Sequence, residues 1–217
     1  MIIDEKNTDL HQIYEGYKSS PYKTFDNATE AEKWGKYSFA AWRNKLTIRQ
    51  ELVLRKYKRS MSFAKAINMK LRHGVPTPQA ILLDNALRQG VLPDNIIVSR
   101  NACLKFLGDN GYASIELLEK SFRNGEKIIL LEPGFMSTSL HNKTWENITK
   151  VRLLLKATKG CHCGFIKTKS FFTIQEKEIL FAPGCAMEVE AVKTYNNSRN
   201  VLIIAIITPK SIGVYGV

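Results

Sequence analysis

An α+β fold, with an N-terminal helical half packed on a two-sheet, mixed or antiparallel β core, is predicted by three observations. Apolar residues recur at helical spacing through about the first ninety positions. After Leu92-Pro93-Asp94 the pattern changes to short apolar runs bounded by Gly, Pro and Asn. The two kinds of segment are grouped rather than alternating, which argues against a parallel sheet built of βαβ units. With 217 residues, 44% apolar and 24% charged, the chain can bury a core of its own, so one domain over 1–217 is expected, with 1–91 as its helical part and 92–217 as its β-rich core.

Taken in order, residues 1–26 read as a loosely structured lead whose Tyr14, Tyr17, Tyr22 and Phe25 are available to pack on the rest of the chain. Ala31, Trp34, Phe39 and Trp42 then form an apolar stripe behind a cap at Asn27 or Thr29. Thr47-Ile48-Arg49-Gln50 has the spacing of a capping box and opens a second helix carrying Leu52, Leu54 and Tyr57. A third helix over 63–71 stops at His73-Gly74. Thr77-Pro78 starts a fourth, with Pro at the first helical position, and Gly90 ends it.

Residues 95–100 form a buried strand ending in a charge, and a helix covers 115–122. Further strands are expected at 135–140, 151–157, 164–167, 178–181, 187–193 and 201–208, the last rich in β-branched residues.

Thirty-two Lys and Arg against twenty Asp and Glu leave a net charge of +12. This excess suits an anionic ligand, an acidic protein, a membrane surface or nucleic acid without choosing among them. The cations read as scattered over helices with no interleaved aromatics, which weighs against nucleic acid. A non-catalytic module binding nucleic acid or anionic lipid is the alternative to an enzyme. Cys103, Cys161, Cys163 and Cys185 fit neither a zinc knuckle nor a redox pair, so reduced thiols and no metal are expected. The first residues resemble neither a secretory nor a transit peptide, and the apolar run 201–207 is too short to span a bilayer, so no stable membrane insertion is expected. No Gly-x-Gly-x-x-Gly follows a strand, which excludes a Rossmann site.

Three chemistry-bearing segments each sit on a strand. Arg100 ends the first, where a guanidinium needs a carboxylate or phosphate in its fork. Ser137-Thr138-Ser139 puts two hydroxyls on one face. In Glu176-Lys177-Glu178 the two carboxylates fall on one side of a strand mouth, a repulsive arrangement that suits a cationic group or developing positive charge between them. A second pair, Glu188 and Glu190, lies inside a strand without the aromatic loop before it or the Ile-Leu-Phe run after it, and is set aside.

In this order the segments resemble the arginine–serine–glutamate class of mono-ADP-ribosyltransferase toxins, which includes the clostridial Rho-modifying exoenzymes, the enzymatic components of binary actin toxins and several injected effectors. The resemblance runs from about Tyr22 to Thr208 and includes Tyr57 with Ile67-Asn68-Met69-Lys70-Leu71-Arg72, Gly134-Phe135-Met136 ahead of the serines, and Ile179-Leu180 after Glu178. It implies NAD as co-substrate, no metal, and a dinucleotide held by Asn68, Arg72, Arg100, Thr138 and Ser139. Glu178 and Glu176 are then catalytic, with Ser137 and Arg100, and Phe171 and Phe172 lie in the turn that recognises the target. In the Rho-modifying branch the first glutamate of the pair is glutamine; here that position is Glu176, preceded by Gln175, which moves the expected acceptor from asparagine towards arginine.

The chemistry agrees. Breaking the ribose–nicotinamide bond builds oxocarbenium character, which a fixed carboxylate such as Glu178 stabilises, while Glu176 orients an acceptor arginine and takes its proton. NAD glycohydrolysis is the expected side activity. The class further implies a secreted or injected bacterial protein acting in the host cytosol as a monomer on a host protein, actin first and a small GTPase second. With no classical signal peptide apparent, delivery by a secretion machine or a separate translocation component is expected, or this is an excised catalytic domain.

Overall fold

The computed structural model describes residues 16–17, 20–141, 150–166, 177–195 and 200–209. Among the described residues five full helices come first: α1 Ala28–Ser38, α2 Ala40–Lys45, α3 Ile48–Arg59, α4 Met61–Arg72 and α5 Pro78–Arg88. Strand β1 (Ile96–Ala102) is followed by α6 (Leu104–Asp109) and α7 (Ile115–Arg123). Then come β2 (Ile129–Glu132), β3 (Met136–Ser139), β4 (Val151–Ala157), β5 (Cys163–Ile166), β6 (Glu178–Phe181), β7 (Cys185–Tyr195) and β8 (Asn200–Ile207).

The caps form as the sequence suggests. Asn27 accepts from the Glu30 N–H, Thr47 and Gln50 close a reciprocal capping box, and Thr77 caps α5 with Pro78 at its start. The expected first helix is two helices, because Phe39 leaves helical geometry while its N–H still reaches Gly35 O. Helix α6 and strand β2 were not expected. Strand β2 escapes a period-two reading because its pattern is inverted: Ile129 and Leu131 are about half exposed, whereas Leu130 and Glu132 are buried.

The eight strands of the described residues are hydrogen-bonded in the order β2-β7-β8-β4-β1-β3-β6-β5, mixed because β4 and β8 run parallel and the other pairs antiparallel. The expected two-sheet core takes the form of one continuous eight-stranded sheet with two parts: a five-stranded part ending at β1 meets a three-stranded part beginning at β3, and the two are registered where Ser99 faces Ser139. Strand β4 buries leucines on both faces. Leu153 and Leu155 join the main core under the helices, while Leu154 packs with Ile97, Leu202 and Ile204 on the other side.

The helices are fixed to the three-stranded part by close approach. Trp42 donates its indole N–H to Ala86 O at 2.8 Å and lies over Gly164, where a Cβ would come within 2.3 Å of the indole ring. Leu92 N donates to Cys161 O and Cys163 N to Gly90 O, so the end of the helical segment pairs directly with the start of β5. All four cysteines are free thiols; Cys161, Cys163 and Cys185 are buried, and burial pushes their thiols up. No helix among the described residues is long and apolar enough to cross a membrane.

Candidate active site

The site lies where α3 and α4 cross the seam between the two parts of the sheet. Its best-connected group is Glu132, at the end of β2 and 1% exposed. Arg72, from the last turn of α4, grips it with two bonds, Nε to Oε1 at 3.0 Å and Nη2 to Oε2 at 2.8 Å. Arg100 of β1 adds Nη2 to Oε2 at 3.0 Å, and the Gly134 N–H adds a bond to Oε1 at 3.0 Å. Two guanidinium groups would repel at this spacing without the carboxylate between them. The fork to Glu132 also pushes the Arg72 guanidinium up from its ordinary value.

Asn68, one turn before Arg72, works on the backbone of the segment leading into β3. Its Oδ1 accepts from the Phe135 N–H at 2.9 Å, and its Nδ2 donates to the Tyr57 hydroxyl at 2.9 Å. Tyr57 meets the Phe135 ring edge-on with centroids 5.5 Å apart, and burial pushes its phenol up to about 12. Gly134 is required in between: a Cβ there would lie 2.9 Å from Asn68 Oδ1 and 3.1 Å from Glu132 Oε1.

Glu178 opens β6, 3% exposed, with Ser139 as its cross-strand partner. Ser137 lies two residues along on the same face, opposite Leu180, and its carbonyl accepts from Arg100 Nη1 at 3.2 Å. The Ser139 hydroxyl donates to His141 O at 2.8 Å. Thr138 points to the other face, 3% exposed, and its hydroxyl donates to Ile179 O at 2.9 Å, so this side chain is committed to the sheet. The carboxylate of Glu178 receives the ammonium of Lys58 from α3. The neighbouring Lys177, also buried, pairs with Glu32 of α1. Glu176, Phe171 and Phe172 lie outside the described residues.

Arg72, Arg100, Asn68, Ser137, Ser139 and Glu178 thus gather around one seam, while Thr138 faces away. Sequence reasoning missed Glu132 and Lys58. A carboxylate ending an apolar run just before the Gly-Phe-Met segment is the only local hint of the first; no local signal marks the second, whose partner is 120 positions away. The rejected pair is separated by geometry: Glu188 and Glu190 sit on β7 at a register irregularity and pair with Lys127 and Lys156.

An open cleft of about 560 Å³ adjoins the arginines, lined by Arg72, Arg100 and Glu132 with Met69, Phe106 and Leu131. Lys58, Arg72 and Arg100 set three cations against Glu132 and Glu178, an excess of positive charge that suits an anionic ligand. Glu178 pairs with Lys58 while both arginines pair with Glu132, so the two buried carboxylates hold separate cations.

The fold is that of the ADP-ribosyltransferase toxins. It superposes on the crystal structure of the Clostridium limosum C3 exoenzyme with a TM-score of 0.70 at 24% identity, over 88% of this chain and 98% of that one. A C3 structure from S. aureus with NAD matches at a TM-score of 0.70 and 22% identity, over 87% and 99%. The family model for the ADP-ribosyltransferase exoenzyme matches residues 31–210, and the chain belongs to that family. A mono-ADP-ribosyltransferase C3 from Clostridium botulinum D phage is 25% identical over 226 aligned positions, covering 94% of this chain and 86% of that protein.

Proposed function

We propose that this chain, acting as one domain over 1–217, transfers ADP-ribose from NAD to an arginine of a host protein and releases nicotinamide. The observation that carries the reading is the separation of roles around the seam: a buried carboxylate facing the serine strand, and beside it an arginine pair already assembled in the cleft.

Arg72 and Arg100 hold the pyrophosphate, since planar forks match phosphate oxygens and Nη1 of Arg72 lies outside the bond to Glu132. Asn68 fixes the Gly134-Phe135 backbone beside them. At the other end the C–N glycosidic bond breaks, its electron pair leaves with nicotinamide, and the ribose gains oxocarbenium character. Glu178 stabilises that charge more than it stabilises the neutral ribose, which lowers the barrier. In the resting site Lys58 occupies the place of this positive charge against Glu178. The acceptor guanidinium, with a pKa above about 12, is oriented and relieved of a proton by Glu176.

Incubation with labelled NAD and a eukaryotic lysate, beside a Glu178→Ala control, tests the reading. A band that is absent from the control and maps by mass spectrometry to an arginine is expected. Glu176→Gln should abolish that labelling but spare NAD hydrolysis, and equal loss of both reactions would refute the division of labour. A second reading, an asparagine of a small GTPase as acceptor, is favoured by the near end-to-end match with C3 enzymes. Labelling of asparagine would select it. Actin remains the first candidate for an arginine acceptor, and a separate translocation component fits delivery into the host cytosol.

A further inference from the structure

The positive charge of this protein is not spread evenly. Residues 45–72 carry nine Lys and Arg against one carboxylate, Glu51. Helices α3 and α4, which fill this stretch, present Lys58, Asn68 and Arg72 inward to the site, yet most of these cations face outward.

The outward faces are ordered. On α3, Ile48, Leu52, Arg55 and Arg59 follow one another at helical spacing, all exposed. On α4 the same is true of Met61, Lys65 and Met69, with Lys70 beside them. The stripes are about 16 Å and about 12 Å long. They meet at Ser60, and Lys56 of α3 lies 4.6 Å over the Phe63 ring of α4, so the two faces adjoin. Ile48 is 80% and Met61 74% exposed, a degree of exposure that an aliphatic side chain set among cations has no reason to keep in a core-facing role.

We infer that the outer face of the α3–α4 pair is a docking surface for an anionic lipid bilayer, with the cations on headgroups and Ile48, Leu52, Met61 and Met69 in the interfacial layer. Charge complementarity selects an anionic partner. The alternation of long, flexible cations with unbranched or aliphatic tips along convex helix faces fits a headgroup layer, which imposes no shape, better than an acidic protein, which does. This is association at the surface, not insertion. Met69 also lines the cleft beside Arg72, so a protein docked in this way holds its cleft at the edge of the bilayer.

The test is sedimentation of the purified full chain with phosphatidylcholine vesicles and with vesicles containing about 30% phosphatidylserine. Binding to the second and not the first, weakened by salt, is expected. Each basic residue near an anionic surface is worth roughly fivefold in partitioning, so Arg59→Glu, Lys65→Glu and Lys70→Glu together should reduce binding on the order of a hundredfold or more. Circular dichroism reports whether that variant is folded, independently of any enzymatic reading. Ile48→Ser with Leu52→Ser is the second variant and should weaken binding without a change in charge. Equal binding to neutral vesicles, no binding to either, or unchanged binding by the folded variants overturns the inference. Retention on immobilised polyglutamate without vesicle binding also overturns it, and assigns the face to an acidic protein.

Discussion

Glu132 and Glu178 are both almost completely buried, yet they are held in opposite ways. Glu132 accepts from Arg72 twice, from Arg100 and from a backbone N–H, so both oxygens are occupied and two strands and a helix are tied to one carboxylate. Glu178 is met, among the described residues, by the flexible ammonium of Lys58. A multidentate cluster resists exchange, whereas a single lysine on a four-carbon stem can move aside. The arginine end of the site is therefore preassembled, and the Glu178 end keeps an exchangeable partner.

Glu178→Ala breaks this comparison most severely. It should lower NAD turnover by about a hundredfold or more with little change in affinity for NAD, read from kcat and KM in a nicotinamide-release assay. Glu132→Ala attacks the other end, leaving two guanidinium groups facing each other. A loss of about 3 kcal/mol in chemical denaturation is expected, with a rise in the KM for NAD. A fall in KM would instead mark Glu132 as a competitor for the arginines. Lys58→Met sharpens the comparison: kcat should fall roughly tenfold from a less well placed Glu178, and Lys58→Arg should restore most of it. Lower KM at constant kcat would show that Lys58 merely obstructs the site.

The smallest effect concerns the pair beside Glu178. The bond from Lys177, with help from Lys36, pulls the Glu32 carboxyl down to about 2. Its folded value lies below the ordinary one, so the unfolded chain binds more protons between them. The stabilisation is complete above about pH 4.5 and fades as pH falls towards 2. Glu32→Gln should lower the melting temperature by about 2–4 °C at neutral pH and flatten its decline through that acid window.

The same contrast explains which parts of the site could be read from the sequence. Arg100, the Ser137-Thr138-Ser139 segment and Glu178 were legible because each is a polar interruption of an apolar strand, and strand order brings them to one seam. The helix caps were legible because their chemistry is local. Glu132 was not, because Leu131 faces solvent and the carboxylate faces inward, against the usual sense of the pattern. Lys58 was not, because a lysine on an amphipathic helix reads as solvated until the fold brings Glu178 beneath it. The clustering of cations on α3 and α4 was overlooked for a related reason: along the chain they look like ordinary helical spacers, and only the exposed faces align them.

The joint between the two parts of the sheet has a mechanical consequence. Arg100 belongs to the five-stranded part and Glu178 to the three-stranded part; they are spanned by the Ser99–Ser139 pair and by the bond from Arg100 to Ser137 O. The distance from Arg100 to Glu178 is thus set by the torsional stiffness of a narrow girder. Twisting it by about 5° over an arm of roughly 7 Å shifts one end by ~0.6 Å, and displacements near 1 Å cost on the order of a hundredfold in rate. Substitution of Ser99 would then detune catalysis as a loosened bearing detunes a gauge, without replacing either of the groups the joint separates.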